Sequence, residues 1–205
     1  MPRGKTFDPD EKIDRALDLF WRRGCDAVSV QDLVDALGVN RASLYATYGD
    51  KEQLWLRALG RFCDLRNARL AELTADPEAP VLPRIRALLA ELVEPVDGLP
   101  RGCLIVNALT ERSGDPATRA LALGQISNVE DSLRAALELA RDHGEIPATA
   151  SPGQLARFLV VMAQGLRVFD RAMPDHHAVQ DAIEVAMSAL SLPGESRRPG
   201  AAVES

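Results

Sequence analysis

Lysine and histidine are scarce in this chain, cysteine is unpaired, and no stretch alternates as a β-strand does. The three lysines, Lys5, Lys12 and Lys51, all fall in the first quarter. The histidines are His143, His176 and His177. Neighbours such as His176 and His177 point in different directions on a helix, so they cannot share a metal as an i, i+4 pair would. No phosphate-cradling Gly-x-x-x-x-Gly-Lys loop, nucleophile elbow or Cys/His cluster is present, which excludes the common enzyme classes and predicts no metal and no cofactor. Cys25, Cys63 and Cys103 are far apart, and an odd number without a Cys-x-x-Cys pair predicts free thiols in a reducing cytoplasm. The most apolar run, Phe158 to Met162, is far shorter than the roughly 20 residues of a membrane span. A charged amino terminus does not read as a signal peptide. These absences leave a soluble, cytoplasmic, non-catalytic protein as the expectation.

What is present is helical period almost throughout, so the fold class expected is all-α, with about nine helices. Asp8, Pro9 and Glu11 start the first, Ile13, Ala16, Leu17 and Phe20 form its apolar stripe, and Gly24 ends it. A longer helix is expected from Lys51 toward Leu73, broken by Asp76-Pro77-Glu78-Ala79-Pro80. Next come a helix with Ile85, Leu88, Leu89, Leu92 and Val93, stopped near Pro95 and Gly98, and the segment Arg101 to Arg112. The longest helix starts at Asp115-Pro116 and ends at Gly144. Ser151, Pro152 and Gln154 open the next, with Leu155, Phe158, Leu159, Met162 and Leu166, and the last carries Val179, Ala182, Ile183, Ala186 and Leu190. Residues 193–205 are rich in Pro, Gly, Glu, Arg and Ser and predict a disordered tail.

Residues 29–51 carry the most information. Ser29 is placed to cap a helix with Asp32 as capping-box partner, while Val30, Leu33, Val34 and Leu37 share one face. Gly38 supplies a left-handed stop and Val39 tucks into the angle. Asn40 caps a second helix of two turns, Gly49 closes it, and Asp50 caps a third with Gln53. Two short helices at a steep angle about a glycine turn are a helix-turn-helix, whose second helix enters a DNA major groove. Such hairpins also occur in ordinary helical cores, so the exposed chemistry decides. Leu44 is the core residue and Tyr48 is expected to half-bury. Arg41, Ala42, Ser43, Tyr45 and Thr47 remain outside, a surface suited to phosphates and base edges.

Net charge does not carry this reading. The chain has 24 basic and 30 acidic residues, a formal charge of −6, which argues against indiscriminate nucleic-acid coating. Placement matters instead: Arg3 and Lys5 lie in a short arm, and Arg41 and Lys51 belong to the motif.

The first 65 or so residues resemble the DNA-binding domain of the TetR family of bacterial regulators. The resemblance rests on Ala16-Leu17-Asp18-Leu19-Phe20 with Gly24, Val30-x-x-Leu33, Gly38-Val39 and Leu44-Tyr45-Ala46-Thr47-Tyr48-Gly49-Asp50-Lys51-Glu52-x-Leu54. Thr47 stands where the family often has a histidine, and Tyr48 where it has a phenylalanine. The resemblance implies a DNA-binding head at 6–66, with its helix-turn-helix motif at 29–48. A larger helical ligand-binding and dimerisation domain follows at 67–192, and then the tail. It also implies a homodimer on a near-palindromic operator. The DNA-contacting residues expected are Arg3, Lys5, Ser29, Asn40, Arg41, Ala42, Ser43, Tyr45, Thr47, Tyr48 and Lys51.

Polar side chains within apolar helices, among them Asn107, Thr110, Gln125, Asn128, Gln164 and Arg167, together with apolar ones, suit a small-molecule site. The residues expected to line it are Trp55, Phe62, Cys103, Asn107, Thr110, Phe158, Met162, Arg167 and Phe169. Dimerisation is expected through Leu155, Phe158, Leu159, Met162, Val179, Ala182, Ile183, Ala186 and Leu190. The function expected is a repressor released by a small effector. A constitutive DNA-binding protein without a ligand is the competing class. Arg101-Gly102-Cys103-Leu104 resembles regulators that sense oxidants through a cysteine, but such a thiol needs a cationic neighbour and no lysine is available beyond the DNA-binding third.

Overall fold

Pro9 opens the first helix of the computed structural model, which describes residues 9–92, 102–172 and 176–191. All regular structure among these residues is helical: α1 (Pro9–Arg23), α2 (Val30–Leu37), α3 (Arg41–Tyr48), α4 (Lys51–Ala71), α5 (Leu82–Glu91), α6 (Leu104–Glu111), α7 (Pro116–Asp142), α8 (Pro152–Ala172) and α9 (His176–Ser191). Asp8, the arm with Arg3 and Lys5, the stop at Pro95 and Gly98, Arg101 and the tail 193–205 lie outside the described residues.

The chain divides into two units, 1–70 with 95–129 and 71–94 with 130–205. Residues 67–192, expected as one domain, are thus distributed over both, because α6 and the first half of α7 belong with the head. The first unit has a continuous apolar core. Ala16, Leu17 and Phe20 of α1 meet Leu33 and Leu37 of α2, Leu44 and Tyr48 of α3, and Leu54, Trp55, Ala58, Leu59 and Phe62 of α4. Leu104, Ile105 and Ala108 of α6 and Ala122 of α7 complete it. Phe20 stands edge-on to Trp55 at 5.4 Å and Trp21 edge-on to Phe62 at 5.1 Å, the T-shaped geometry that sets a positive ring edge on a negative face. The Trp55 indole N–H donates to Thr118 Oγ1 at 2.9 Å, so the one polar atom of that buried ring is satisfied.

In the second unit α9 packs against α5 and α8. Ile85 and Leu89 of α5, Leu137 of α7, Ala156 and Leu159 of α8, and Val179, Ile183, Ala186 and Leu190 of α9 are buried. Helix α5 has Val81 at its N-cap, with no side-chain cap to offer. Its first amides are met from elsewhere: Glu145, in the turn after α7, accepts from Val81 N at 2.8 Å and Leu82 N at 2.9 Å. Partial burial works to raise the Glu145 carboxyl. The two amides and His143 outweigh it and hold the pKa below the usual carboxylate value.

Candidate nucleic-acid interface

The two helices of the motif are set by their caps. Ser29 sits in an extended conformation (φ −84°, ψ 162°) and its Oγ accepts from Asp32 N at 3.1 Å, while Asp32 Oδ2 accepts from Ser29 N at 2.8 Å. This is the expected capping box, and Arg23 adds an ion pair to Asp32 at 2.7 Å. The Ser29 hydroxyl, then Arg23, hold the Asp32 carboxyl far below its ordinary range. Gly38 ends α2 in the left-handed region (φ 63°), which a side chain would resist. Asn40 then caps α3, its Oδ1 accepting from Ser43 N at 2.7 Å. Downstream, Asp50 accepts from Gln53 N at 2.8 Å at the start of α4. Both flanks of the short second helix are therefore pinned by local hydrogen bonds.

Helix α3 is anchored from below by Leu44 and Tyr48, at 0% and 1% exposure. Tyr48, expected to half-bury, is buried outright; its ring fills the space under α3, and the Arg57 guanidinium lies 5.8 Å over its centroid. A ring so covered packs against the core, deeper than the half-burial expected for it. Arg57 also donates to the Thr47 carbonyl at 3.3 Å, a cation at the negative end of α3. Arg41, Ala42 and Tyr45 are exposed, with Tyr45 at 45%, and Ser43 and Thr47 are half-buried. Lys51 reaches back to donate to the Asp26 carbonyl at 3.4 Å, which holds its ammonium beside the turn before α2.

The residues expected to line a ligand site fall into different settings. Trp55, Phe62 and Cys103 are core residues of the first unit. Thr110 is exposed and turns its hydroxyl onto its own helix, donating to the Val106 and Asn107 carbonyls at 3.0 Å, and Asn107 is half-buried. Phe158 and Phe169 of α8 are 44% and 40% exposed, with Met162 and Arg167 half-buried. Two surface depressions, of about 520 Å³ beside Leu82, Arg86 and Met187 and about 460 Å³ beside Asp14, Asp18 and Leu19, include none of the nine. A different residue stands out. Gln125 on α7 is 4% exposed, and neither end of its amide has a partner among the described residues. A lone buried amide is costly unless something pairs with it.

The expected dimer residues divide as well. Leu159, Val179, Ile183, Ala186 and Leu190 are each at most 4% exposed, already spent inside their own unit. The large apolar side chains left exposed on the described parts of α8 and α9 are Phe158, expected in the interface, and Val161 (72%), Val168 (57%), Phe169 and Val185 (69%), which were not. All three cysteines are buried; burial pushes the Cys25 and Cys63 thiols up to about 11. No helix among the described residues is long and apolar enough to cross a membrane.

Comparison with known proteins matches two stretches of the chain. Residues 13–58 match the family described as bacterial regulatory proteins, tetR family, and residues 81–186 match the tetracyclin repressor-like C-terminal domain. The HTH-type transcriptional regulator YezE of Bacillus subtilis is 31% identical over 93% of this chain and 100% of its own length. The HTH-type transcriptional repressor ComR of Escherichia coli is 33% identical over 82% of each chain. Among solved structures, a cysteine mutant of the regulator CifR, complexed with 26-bp double-strand operator DNA, shares 28% identity over 92% of this chain and 100% of its own. Its TM-score is 0.79. The reduced form of Escherichia coli NemR, at 21% identity, 91% and 98% coverage and a TM-score of 0.81, shares the fold. With a capped helix-turn-helix at one end and both family regions matched, the chain belongs to the TetR family of DNA-binding transcriptional regulators.

Proposed function

We propose that this regulator is a repressor that binds a near-palindromic operator as a homodimer and leaves it when a small effector binds. The observation that carries the DNA half is α3 itself: a two-turn helix pinned by Asn40 and Leu44 that leaves Arg41, Ala42 and Tyr45 outward. In this reading Arg41, Ala42, Ser43 and Tyr45 face base edges. Ser29, Asn40, Thr47 and Lys51 hold phosphate, and Arg3 and Lys5 reach the neighbouring groove. The 26 base pairs bound by the related regulator exceed two helical turns, room for two half-sites about 34–36 Å apart.

For the dimer, the support is the apolar area that α8 and α9 leave uncovered. Phe158, Val161, Gly165 and Val168 follow one another at spacings of three, four and three along α8, a stripe on the side opposite buried Leu159 and Ala163. On α9, Val185 stands among Ala182, Ser188 and Ala189, small residues that permit close helix approach. A second copy presenting the same stripe would make a bundle that covers both. For the effector, the support is the unpartnered Gln125 amide, which a ligand group able both to accept and to donate would satisfy.

The test is selection of duplexes from a random-sequence pool with the purified protein, followed by a thermal-shift screen of metabolites against the complex. The expected result is an inverted repeat and a compound that both shifts the melting temperature and releases the duplex. Recovery of no preferred sequence would sink the proposal. Recovery of a sequence that no compound displaces would leave a constitutive DNA-binding protein.

A further inference from the structure

We propose that Lys12 is a further DNA contact, an ammonium on α1 that binds a backbone phosphate where the chain enters the recognition helix α3. The inference rests on the DNA-binding reading above and extends the interface to a helix which that reading leaves out. The chain has three lysines. Lys5 and Lys51 are already assigned to DNA, and Lys12 is the one left unused.

Lys12 stands in the first turn of α1, half-buried, and its side chain crosses to the turn between α2 and α3. A Cβ placed on Gly38 would lie 4.0 Å from Lys12 Nζ. Gly38 ends α2 and Asn40 caps α3 two residues later, so the ammonium sits at the corner of the helix-turn-helix. Among the described residues no hydrogen bond or ion pair holds it there. The carboxylates described on α1 and α2 are taken by others. Glu11 pairs with Arg15 at 2.6 Å, Asp14 with Arg61 at 2.8 Å and Asp18 with Arg22 at 2.9 Å. On α2, Asp32 pairs with Arg23 at 2.7 Å and Asp35 accepts from Gln31 at 2.9 Å. The last turn of α2 has no basic residue of its own, so Lys12 also lies beside that helix's negative end. A partial charge of about half a unit cannot neutralise a whole one. The ammonium is therefore left to meet an anion from outside the protein.

When a recognition helix enters the major groove, its first residues meet base edges and the helix before it crosses the phosphate backbone. The corner between the two helices is thus carried to the edge of the groove, where phosphates line the strand. Lys12 meets one there, and Lys51 holds another beyond the far end of α3. The short helix is then fixed at both ends, with Arg41 near the first. A lysine suits the place, because a compact charge on a flexible four-carbon stem needs reach and not bidentate geometry.

The experiment is the salt dependence of affinity for the duplex selected by the wild type, measured on the full-length protein. In Lys12→Gln the slope of log affinity against log salt should fall by about one for each bound subunit. For a dimer, going from about 50 to 200 mM salt should then cost the wild type about tenfold more affinity than it costs the variant. Scrambled DNA should show the same loss, and Lys12→Arg should restore the wild-type slope. Arg15→Gln, one turn further along α1 and already paired with Glu11, should leave the slope unchanged. A second measurement needs no variant: acetylation of the wild type by an amine-reactive ester, read by mass spectrometry with and without the duplex. DNA should protect Lys12 as it protects Lys51. A wild-type slope in Lys12→Gln overturns the proposal, and so does a Lys12 acetylated equally with and without DNA. An equal fall of slope in Arg15→Gln would make the effect one of net charge and overturn it as well. A lower melting temperature with an unchanged slope would reduce Lys12 to a structural cation at the end of α2. If the wild type selects no duplex, the DNA-binding reading itself fails; if it selects one and the slope does not move, only the Lys12 contact fails.

Discussion

Helices α2–α3 and helices α8–α9 solve the same problem differently. In α2–α3 each helix has a single apolar side, turned into the head, and its ends are closed by neighbours in sequence: Ser29 with Asp32, Asn40 with Ser43, Gly38 in the left-handed region. In α8–α9 two sides are apolar. One carries Leu159, Ile183 and Leu190, buried in the subunit; the other carries Val161, Val168 and Val185, left open. A helix with one apolar face says where the core is. A helix with two says only that something must cover each, and the order in which they are covered is a tertiary matter.

The largest effect expected from this difference separates two substitutions of like chemistry on α8 and α9. Ile183→Glu puts an unpaired charge at a position 4% exposed and should cost on the order of 3–5 kcal/mol, read as loss of cooperative unfolding or a collapsed melting temperature. Val161→Glu, at 72% exposure, should leave each subunit folded but shift sedimentation to the monomer. A folded monomeric Ile183→Glu variant together with a dimeric Val161→Glu variant would reverse the assignment of the two faces.

On the DNA side, Arg41→Ala should lose about 1–3 kcal/mol of affinity for the selected duplex and much less for scrambled DNA. Lys51→Ala should weaken both alike and lower the slope of log affinity against log salt by about one. Equal losses on both duplexes for Arg41→Ala would move it from base edge to backbone.

Two smaller effects compare a local cap with a distant one. Glu145→Ala leaves the Val81 and Leu82 amides without their acceptor and should lower stability by about 1–2 kcal/mol, measured in urea. Ser29→Ala should lower the melting temperature by a few degrees near neutral pH. The Asp32 carboxyl is held below its ordinary value of 3.8, so the stability it contributes is present above that value and drains away as pH falls below it. The difference between wild type and Ser29→Ala should therefore shrink on acidification. A constant difference down to about pH 2 would remove Asp32 from the capping box.

Several elements were legible because their causes are local. Pro9, the glycines at 24, 38 and 49, and the Ser29 and Asn40 caps place α1 to α3 as expected, since a capping hydrogen bond spans three residues and needs nothing else. Helix α4 runs from Lys51 as expected and stops at Ala71, short of Leu73, whose buried side chain carries the helical pattern into the following turn. Tyr48 was less legible. Its hydroxyl marks it as amphipathic, but its depth is set by the residues of α1, α2 and α4 that share its core, with Arg57 5.8 Å over the ring.

By itself the sequence determined a helical fold and a helix-turn-helix that turns Arg41, Ala42 and Tyr45 outward. It also determined the family, through motif residues that act within a few positions of one another. Only the tertiary structure decided that Glu145 caps α5 from 64 residues away, and that Ile183 faces inward while Val161 faces out. The same holds for Arg112, which reaches across 86 residues to the turn before α2. Periodicity specifies that a face is apolar and a charge specifies that it needs a partner. Which partner it meets depends on how distant segments pack, and no local spacing encodes that.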